Sequence, residues 1–459
     1  MTGTSTRVVT AGIIGLVTLV AFEALAVSTA MPVVARELDG LRSYGLAFSL
    51  FLTMTLLGTV IAGGWCDTAG PRTPILVGFA LFAGGLLVSG SAESFSMMLA
   101  GRVVSGVGGG FLVVSLYVVV AAVYPEAARP RVFGWISAAW VLPSMLGPPL
   151  AGWLATEVTW RAVFLGVPPL VLLAVAGLVP RLGSLRPDGE RLASAREHRR
   201  RALLGAALAG GAAVLQWGSV HLNPPGPASL AGVVAGFALV AVALPRLLPP
   251  GTLRSARGLP SVIAVRGLFA GCFFGAEAFV PLMLVSERGL TPAVAGLALT
   301  GGAVGWATGS YLQGRPGLPV GRHVLLAAGG LLIAVSVAAL VGVLANAVPP
   351  LLLLPVWTVA GLGMGIGMSS TSVLTLGLSS RAEAGRNSAS LQVSDALGGV
   401  IGIGAAGAVF AAMHTRAGSD AGAYATIWSG LALVGLLAAF VGSRARPAAA
   451  APAPSTSLA

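Results

Sequence analysis

The chain has 459 residues, of which 56% are hydrophobic and only 9% charged, with a mean hydropathy of +0.90. A water-soluble domain of that length cannot hide so much apolar surface, so the chain uses lipid as its solvent. The net charge of +12 does not point to nucleic acid, because the basic residues punctuate apolar runs instead of gathering on one face.

A membrane span needs roughly 20 apolar residues. Six such runs open the chain, at 9–34, 44–65, 74–92, 96–122, 132–155 and 160–181. The first is longer than the apolar core of a signal peptide and contains a carboxylate, so it reads as a retained span. A basic stretch from Arg181 to Arg201 follows. Two Ala- and Gly-rich runs come next, 203–221 and 228–247, joined by the turn Asn223 to Pro227. Gln216 and Trp217 make this pair the weakest of the predicted spans. Six more runs close the chain, at 261–285, 292–312, 324–345, 351–377, 388–413 and 423–443. The tail from Arg444 is rich in Ala and Pro and reads as disordered.

The expected architecture is therefore an all-α polytopic membrane protein with fourteen transmembrane helices. It divides into an N-terminal six-helix bundle (1–181), a basic linker (182–202), an inserted hairpin with its linker (203–260), a C-terminal six-helix bundle (261–443) and a tail (444–459). With the N-terminus inside, 20 of the 27 basic residues, all arginine, fall in cytoplasmic segments and five outside. That bias predicts both termini in the cytoplasm, in a cell (inner) membrane. Cys66 and Cys272 lie in no metal-like spacing. No nucleophile–base pair or nucleotide loop is visible, so a membrane-embedded enzyme lacks the polar cluster it would need.

The two blocks of six resemble each other at an offset of about 250 residues. Phe22-Glu23-Ala24 matches Ala276-Glu277-Ala278. Gly63 to Asp67 matches Gly309 to Gln313, and Ser105-Gly106-Val107-Gly108 matches Ala360-Gly361-Leu362-Gly363. Charges within spans are costly and need a partner or water. On a rise of 1.5 Å per residue, Arg102 lies about 10 Å and Glu23 about 17 Å from the outer ends of their spans. Either Arg102 reaches Glu23, or it extends to the outer interface. Glu277 is a second proton or substrate carboxylate or a structural partner. Asp395 is a gate residue or a solvated helix-start acid, and Arg266 is expected to reach for the interface. Tyr117, Trp135, Trp140, Trp306 and Trp357 either line a cavity or pack between helices.

Four segments carry a family resemblance. Gly63 to Arg72, with Gly63, Asp67, Gly70 and Arg72 in place, is similar to the loop motif G-x-L-A-D-R-x-G-R-K of the major facilitator superfamily. Gly101 to Gly110 is similar to its R-x-x-Q-G-x-G, with Ser105 in place of Gln. Pro143 to Gly152, including Gly147 and Pro148, resembles the antiporter motif G-x-x-x-G-P-x-x-G-G. Phe22 to Pro32 resembles the first-helix motif of the fourteen-helix drug:proton antiporters, with Glu23 where that branch has Asp.

The resemblance implies the major facilitator fold, two six-helix bundles plus a two-helix insertion. It implies efflux of a lipophilic small molecule, a drug or natural product, exchanged for protons and driven by the proton gradient without a cofactor or metal. Glu23, Arg102 and Glu277 are the expected proton-coupling residues. Asp67, Gly70, Arg72 and Asp395 are the expected gating set, and a monomer is expected. A proton-coupled importer or a lipid transporter on the same fold is the alternative.

Overall fold

In lipid every backbone N–H and C=O must be satisfied within the protein, which favours helices for such apolar runs. The structure, a computed structural model, describes residues 3–125, 128–182, 195–222, 225–315, 320–345, 348–380, 383–415 and 418–446. Among them every regular element is helical. The first group comprises α1 (Gly3–Glu37), α2 (Tyr44–Ala69), α3 (Arg72–Gly90), α4 (Phe95–Val123), α5 (Arg129–Trp153), α6 (Arg161–Leu165) and α7 (Val167–Leu178). The hairpin is α8 (Ala195–Val220) and α9 (Pro227–Leu247). The last group comprises α10 (Leu259–Glu277), α11 (Val280–Ser286), α12 (Pro292–Gln313), α13 (Arg322–Val343), α14 (Leu353–Gly377), α15 (Ala384–Met413) and α16 (Ala421–Ser443).

Proline accounts for two interruptions the apolar pattern did not foresee. The sixth predicted span breaks at Gly166, ahead of Pro168 and Pro169, and the ninth breaks at Ala278–Phe279, ahead of Pro281. A proline ring has no N–H to donate and clashes with the preceding turn, so the helix restarts with proline in its first turn.

Twelve helices among the described residues are long and apolar enough to cross a membrane, so the predicted count of fourteen is not supported. The two runs that fall short, 132–155 and 292–312, are the helices α5 and α12. Their Gly, Pro, Thr and Trp content dilutes the apolar character that a lipid-spanning count depends on. The hairpin, the weakest pair in the sequence, passes: Ala202–Val220 and Pro227–Leu247 are both among the twelve. Its first helix starts at Ala195, within the stretch read as linker; 183–194 and the tail from 447 lie outside the described residues.

Small residues bring helices into backbone contact, as membrane packing requires. A Cβ on Gly106 or Gly110 would meet the backbone of α2 at Phe51 or Thr55. One on Gly361 or Gly365 would meet that of α12 at Gly302 or Trp306. The glycine-rich segments paired in the repeat therefore do the same work, seating α4 on α2 and α14 on α12.

Gly12 at the start of α1 lies against Leu178 at the end of α7. The Arg444 carbonyl beyond α16 accepts from the Gly258 N–H ahead of α10. These contacts define the face bearing the described ends of the chain, called the termini face below. At the opposite face the two groups of helices are sealed together. A Cβ on Gly45 (α2) would lie 2.8 Å from the Gly407 Cα (α15), and one on Gly296 (α12) 2.7 Å from the Pro148 carbonyl (α5). One on Gly152 (α5) would lie 2.4 Å from the Ala293 Cα (α12). Tyr44 packs against Phe279 beside these contacts, the rings tilted with centroids 5.4 Å apart.

The hairpin seats α8 across α2 and α15. Gln216 is buried there, its amide within 3.5 Å of Thr53 Oγ1 on α2 and the Val400 carbonyl on α15. The residue that weakened the apolar signal of this span is the one that joins it to both groups of helices. Its partner α9 leaves Val234, Phe237 and Val242 more than half exposed, the pattern of a lipid-facing helix.

Candidate functional site

Glu23 and Arg102 meet in the interior. Arg102 donates through Nη1 to Glu23 Oε1, and each residue is only 1% exposed. The α4 glycines hold the Arg102 backbone close to α2, whose residues complete the site. Arg102 Nε donates to the Ala47 carbonyl at 2.9 Å, and the guanidinium lies 4.1 Å over the Phe51 ring. Three contacts thus replace the water the cation gave up, and Arg102 turns inward instead of extending to the interface. Glu23 Oε2 is buried without a hydrogen-bond partner. A carboxylate with one oxygen paired and the other unpartnered, shielded from water, is where a proton has the largest effect on local charge. Ala47 and Phe51 escaped sequence reasoning because they contribute a carbonyl and a ring face, neither of which leaves a signature in residue type.

Glu277, the repeat mate of Glu23, has a different setting. It ends α10 where the helix breaks, and it is only half-buried. Trp357 is its aromatic neighbour, and no arginine pairs with Glu277 among the described residues. Phe273 stacks on Trp357 at 4.9 Å and meets Trp306 edge-on at 5.8 Å, so those two tryptophans pack against α10. Tyr117, Trp135 and Trp140 are exposed on the surfaces of their helices.

Asp395 and Arg266 form a second pair, nearer the termini face. Arg266 Nε donates to Asp395 Oδ1 at 3.0 Å, and Nη1 donates to the Met368 carbonyl at 2.9 Å and Thr371 Oγ1 at 3.1 Å. The expected reach of Arg266 to the interface is not what is found. A carbonyl, a hydroxyl and a carboxylate on α14 and α15 satisfy it where it stands, and Asp395 is no isolated helix-start acid. Arg266→Ala is expected to cost about 2–3 kcal/mol by stranding Asp395 and the Met368 carbonyl. Arg266→Lys should recover only part, because a single ammonium cannot span both helices. Thermal unfolding in detergent checks both.

The loop motif is divided. Gly70 caps α2 at φ +74°, a conformation that favours glycine, with its N–H bonded to the Cys66 carbonyl at 3.0 Å. Arg72 is exposed at the start of α3. Asp67 lies in the last turn of α2, and its side chain is outside the described ones. In the antiporter motif, Pro148 and Gly152 form the α5–α12 seal, whereas a Cβ on Gly147 would meet only α1 side chains at ordinary contact distance, the Phe22 ring at 3.5 Å and Leu25 at 4.0 Å. Pro143 is buried within α5.

Long apolar helices in two glycine-packed groups, with a dry ion pair within one of them, define a polytopic membrane carrier. The chain belongs to the Major Facilitator Superfamily, whose model matches residues 13–402, a family of transporters rather than enzymes. It is 28% identical over 436 residues to a probable multidrug-efflux transporter of Mycobacterium tuberculosis, covering 89% of each chain. It is 26% identical to the multidrug transporter protein MdtP of Bacillus subtilis over 426 residues, 89% of this chain and 76% of that one. Among solved structures, a peptide transporter POT in complex with sulfate superposes with a TM-score of 0.67 at 15% identity, covering 95% and 94% of the two chains. That likeness is one of fold alone.

Proposed function

We propose that this protein is a proton-coupled exporter of lipophilic small molecules, of the fourteen-helix drug:proton antiporter type, with α5 and α12 completing the set of spans. The observation that carries the reading is the buried Glu23–Arg102 pair with its unpartnered Glu23 Oε2. The similarity to multidrug-efflux proteins supports the direction of transport.

In this reading the termini face is cytoplasmic, as the arginine bias implies, and the conformation described is closed to the outside. When the α5–α12 and α2–α15 contacts part, Glu23 Oε2 takes a proton from the outer side. Neutral Glu23 no longer balances Arg102, and the loss of that attraction within a low-dielectric interior favours the return of the halves to the inward-facing state. There the proton leaves, and the substrate enters along a path lined by apolar groups and Glu277. The Arg266–Asp395 pair and the loop from Gly63 to Arg72, Asp67 included, govern opening on the cytoplasmic side. The protein works as a monomer in the cell membrane and needs no cofactor beyond the proton gradient.

Purified protein in oriented proteoliposomes tests this. An imposed pH gradient, acidic on the side opposite the termini face, should drive a lipophilic fluorescent cation uphill toward that side. Accumulation toward the termini face, or movement indifferent to the gradient, would overturn the proposal.

A further inference from the structure

A cavity of about 720 Å³ lies outside the ion-pair site, at the termini face, where the ends of α2 and α9 meet the starts of α8 and α15. Its position follows from how α2 and α15 separate. At the sealed face their backbones touch at Gly45 and Gly407. Further along, a Cβ on Gly399 would meet α2 only through the end of the Leu52 side chain, at 3.7 Å, with the Phe274 ring of α10 at 3.5 Å, and around Gly63 and Gly64 a Cβ would meet nothing within 4 Å. The hairpin covers the resulting wedge from the side. The walls are apolar, with Val60 from α2, Leu208 from α8 and Val393 from α15. Three arginines, Arg200, Arg246 and Arg386, each on a different helix, border it, and among the described residues its lining includes no acidic one. Arg386 is partly offset by Glu383, and Arg246 spends one donor on the Val242 carbonyl.

Apolar walls below a ring of guanidinium groups suit an amphipathic anion, and beside lipid-facing α9 that anion is a membrane lipid. We infer that this wedge is a binding site for an anionic phospholipid, the phosphate held by Arg200, Arg246 and Arg386 and the acyl chains lying between α2, α8 and α15. Because the wedge exists only while α2 and α15 are apart at this face, the bound lipid stabilises the conformation described here and must leave when they close. The inference draws on the proposed orientation only for the leaflet that supplies the lipid.

The test is native mass spectrometry of the full chain released from nanodiscs containing equal phosphatidylglycerol and phosphatidylcholine. Phosphatidylglycerol should be retained preferentially. Arg200→Gln with Arg246→Gln should weaken its retention about thirtyfold. Arg254→Gln with Arg257→Gln, on the same face but outside the cavity lining, should not. Val60→Trp, which fills the wedge from its apolar wall, should displace the lipid without removing a charge, and unfolding curves in lipid-free detergent verify that each variant is folded. Equal retention by the double Arg200/Arg246 variant and the parent would overturn the inference. So would inorganic phosphate raising the unfolding temperature in detergent as much as phosphatidylglycerol does, because the site would then take a free anion. Lipid retention is read without transport, so a failure of the exporter reading leaves this result standing, and the reverse.

Discussion

Glu23→Gln is expected to abolish gradient-driven accumulation while leaving the protein folded and able to bind substrate. For a one-for-one exchange, one pH unit holds a substrate gradient of about tenfold. The variant should bring that ratio to unity. Glutamine has nearly the volume of glutamic acid and keeps an oxygen for Arg102 Nη1 to donate to, so it imitates the protonated state permanently. That state can exchange substrate down its own gradient but has no proton to carry. Vesicle accumulation ratios measured at several imposed pH gradients, with substrate binding measured in detergent, separate the two effects. Arg102→Met should behave differently: it leaves Glu23 buried without its cation, a change worth about 3–5 kcal/mol, and should lower the yield of folded protein. A Glu23→Gln protein that still builds a pH-dependent gradient would remove Glu23 from the coupling mechanism.

The second large effect concerns the seal opposite the termini face. Gly152→Val should prevent α5 and α12 from closing, because even its Cβ would lie 2.4 Å from the Ala293 Cα, where no flexible side-chain end can move aside. Overpacking of this kind costs about 1–3 kcal/mol. Imposed on one conformation of a two-state carrier, that shifts the balance toward the open form by roughly five- to 150-fold. Thr29 makes a sensitive reporter, since it is fully buried and a Cβ on Gly296 would lie 3.0 Å from its methyl group. With Cys66 and Cys272 replaced by alanine, Thr29→Cys should react slowly with an impermeant maleimide in the parent and at least about tenfold faster beside Gly152→Val. Gly147→Ala, in the same motif, should change neither labelling nor transport, because its nearest neighbour is the Phe22 ring at ordinary contact distance. Equal effects at both glycines would mean that the motif acts through helix flexibility and not through the seal.

The contrast between Gly147 and Gly152 shows how far sequence reading goes in such a chain. A Gly- and Pro-rich motif in a span is legible, and it brings α5 to attention. Which of its small residues touches another backbone is a property of two helices about 150 residues apart in sequence. Arg102 illustrates the same division: its cost within a span predicts a partner or water, and its depth leaves both Glu23 and the outer interface within reach. The Ala47 carbonyl and the Phe51 ring that finish its coordination are set only by how α4 lies on α2. Gln216 shows the reverse error. In one dimension it dilutes a hydrophobic run, and in three it sits between α2 and α15.

By itself the sequence determined that this chain lives in a membrane and which charges stand within its apolar runs, and it pointed to two related groups of helices with a hairpin between them. These follow from transfer free energies and periodicity, which are local. Only the tertiary structure decided that Glu23 has a cationic partner and Glu277 none among the described residues, that Arg266 turns to Asp395 instead of the interface, and that α5 and α12 take part in the seal. Those outcomes depend on distances between helices remote in sequence, set by where glycine lets two backbones touch.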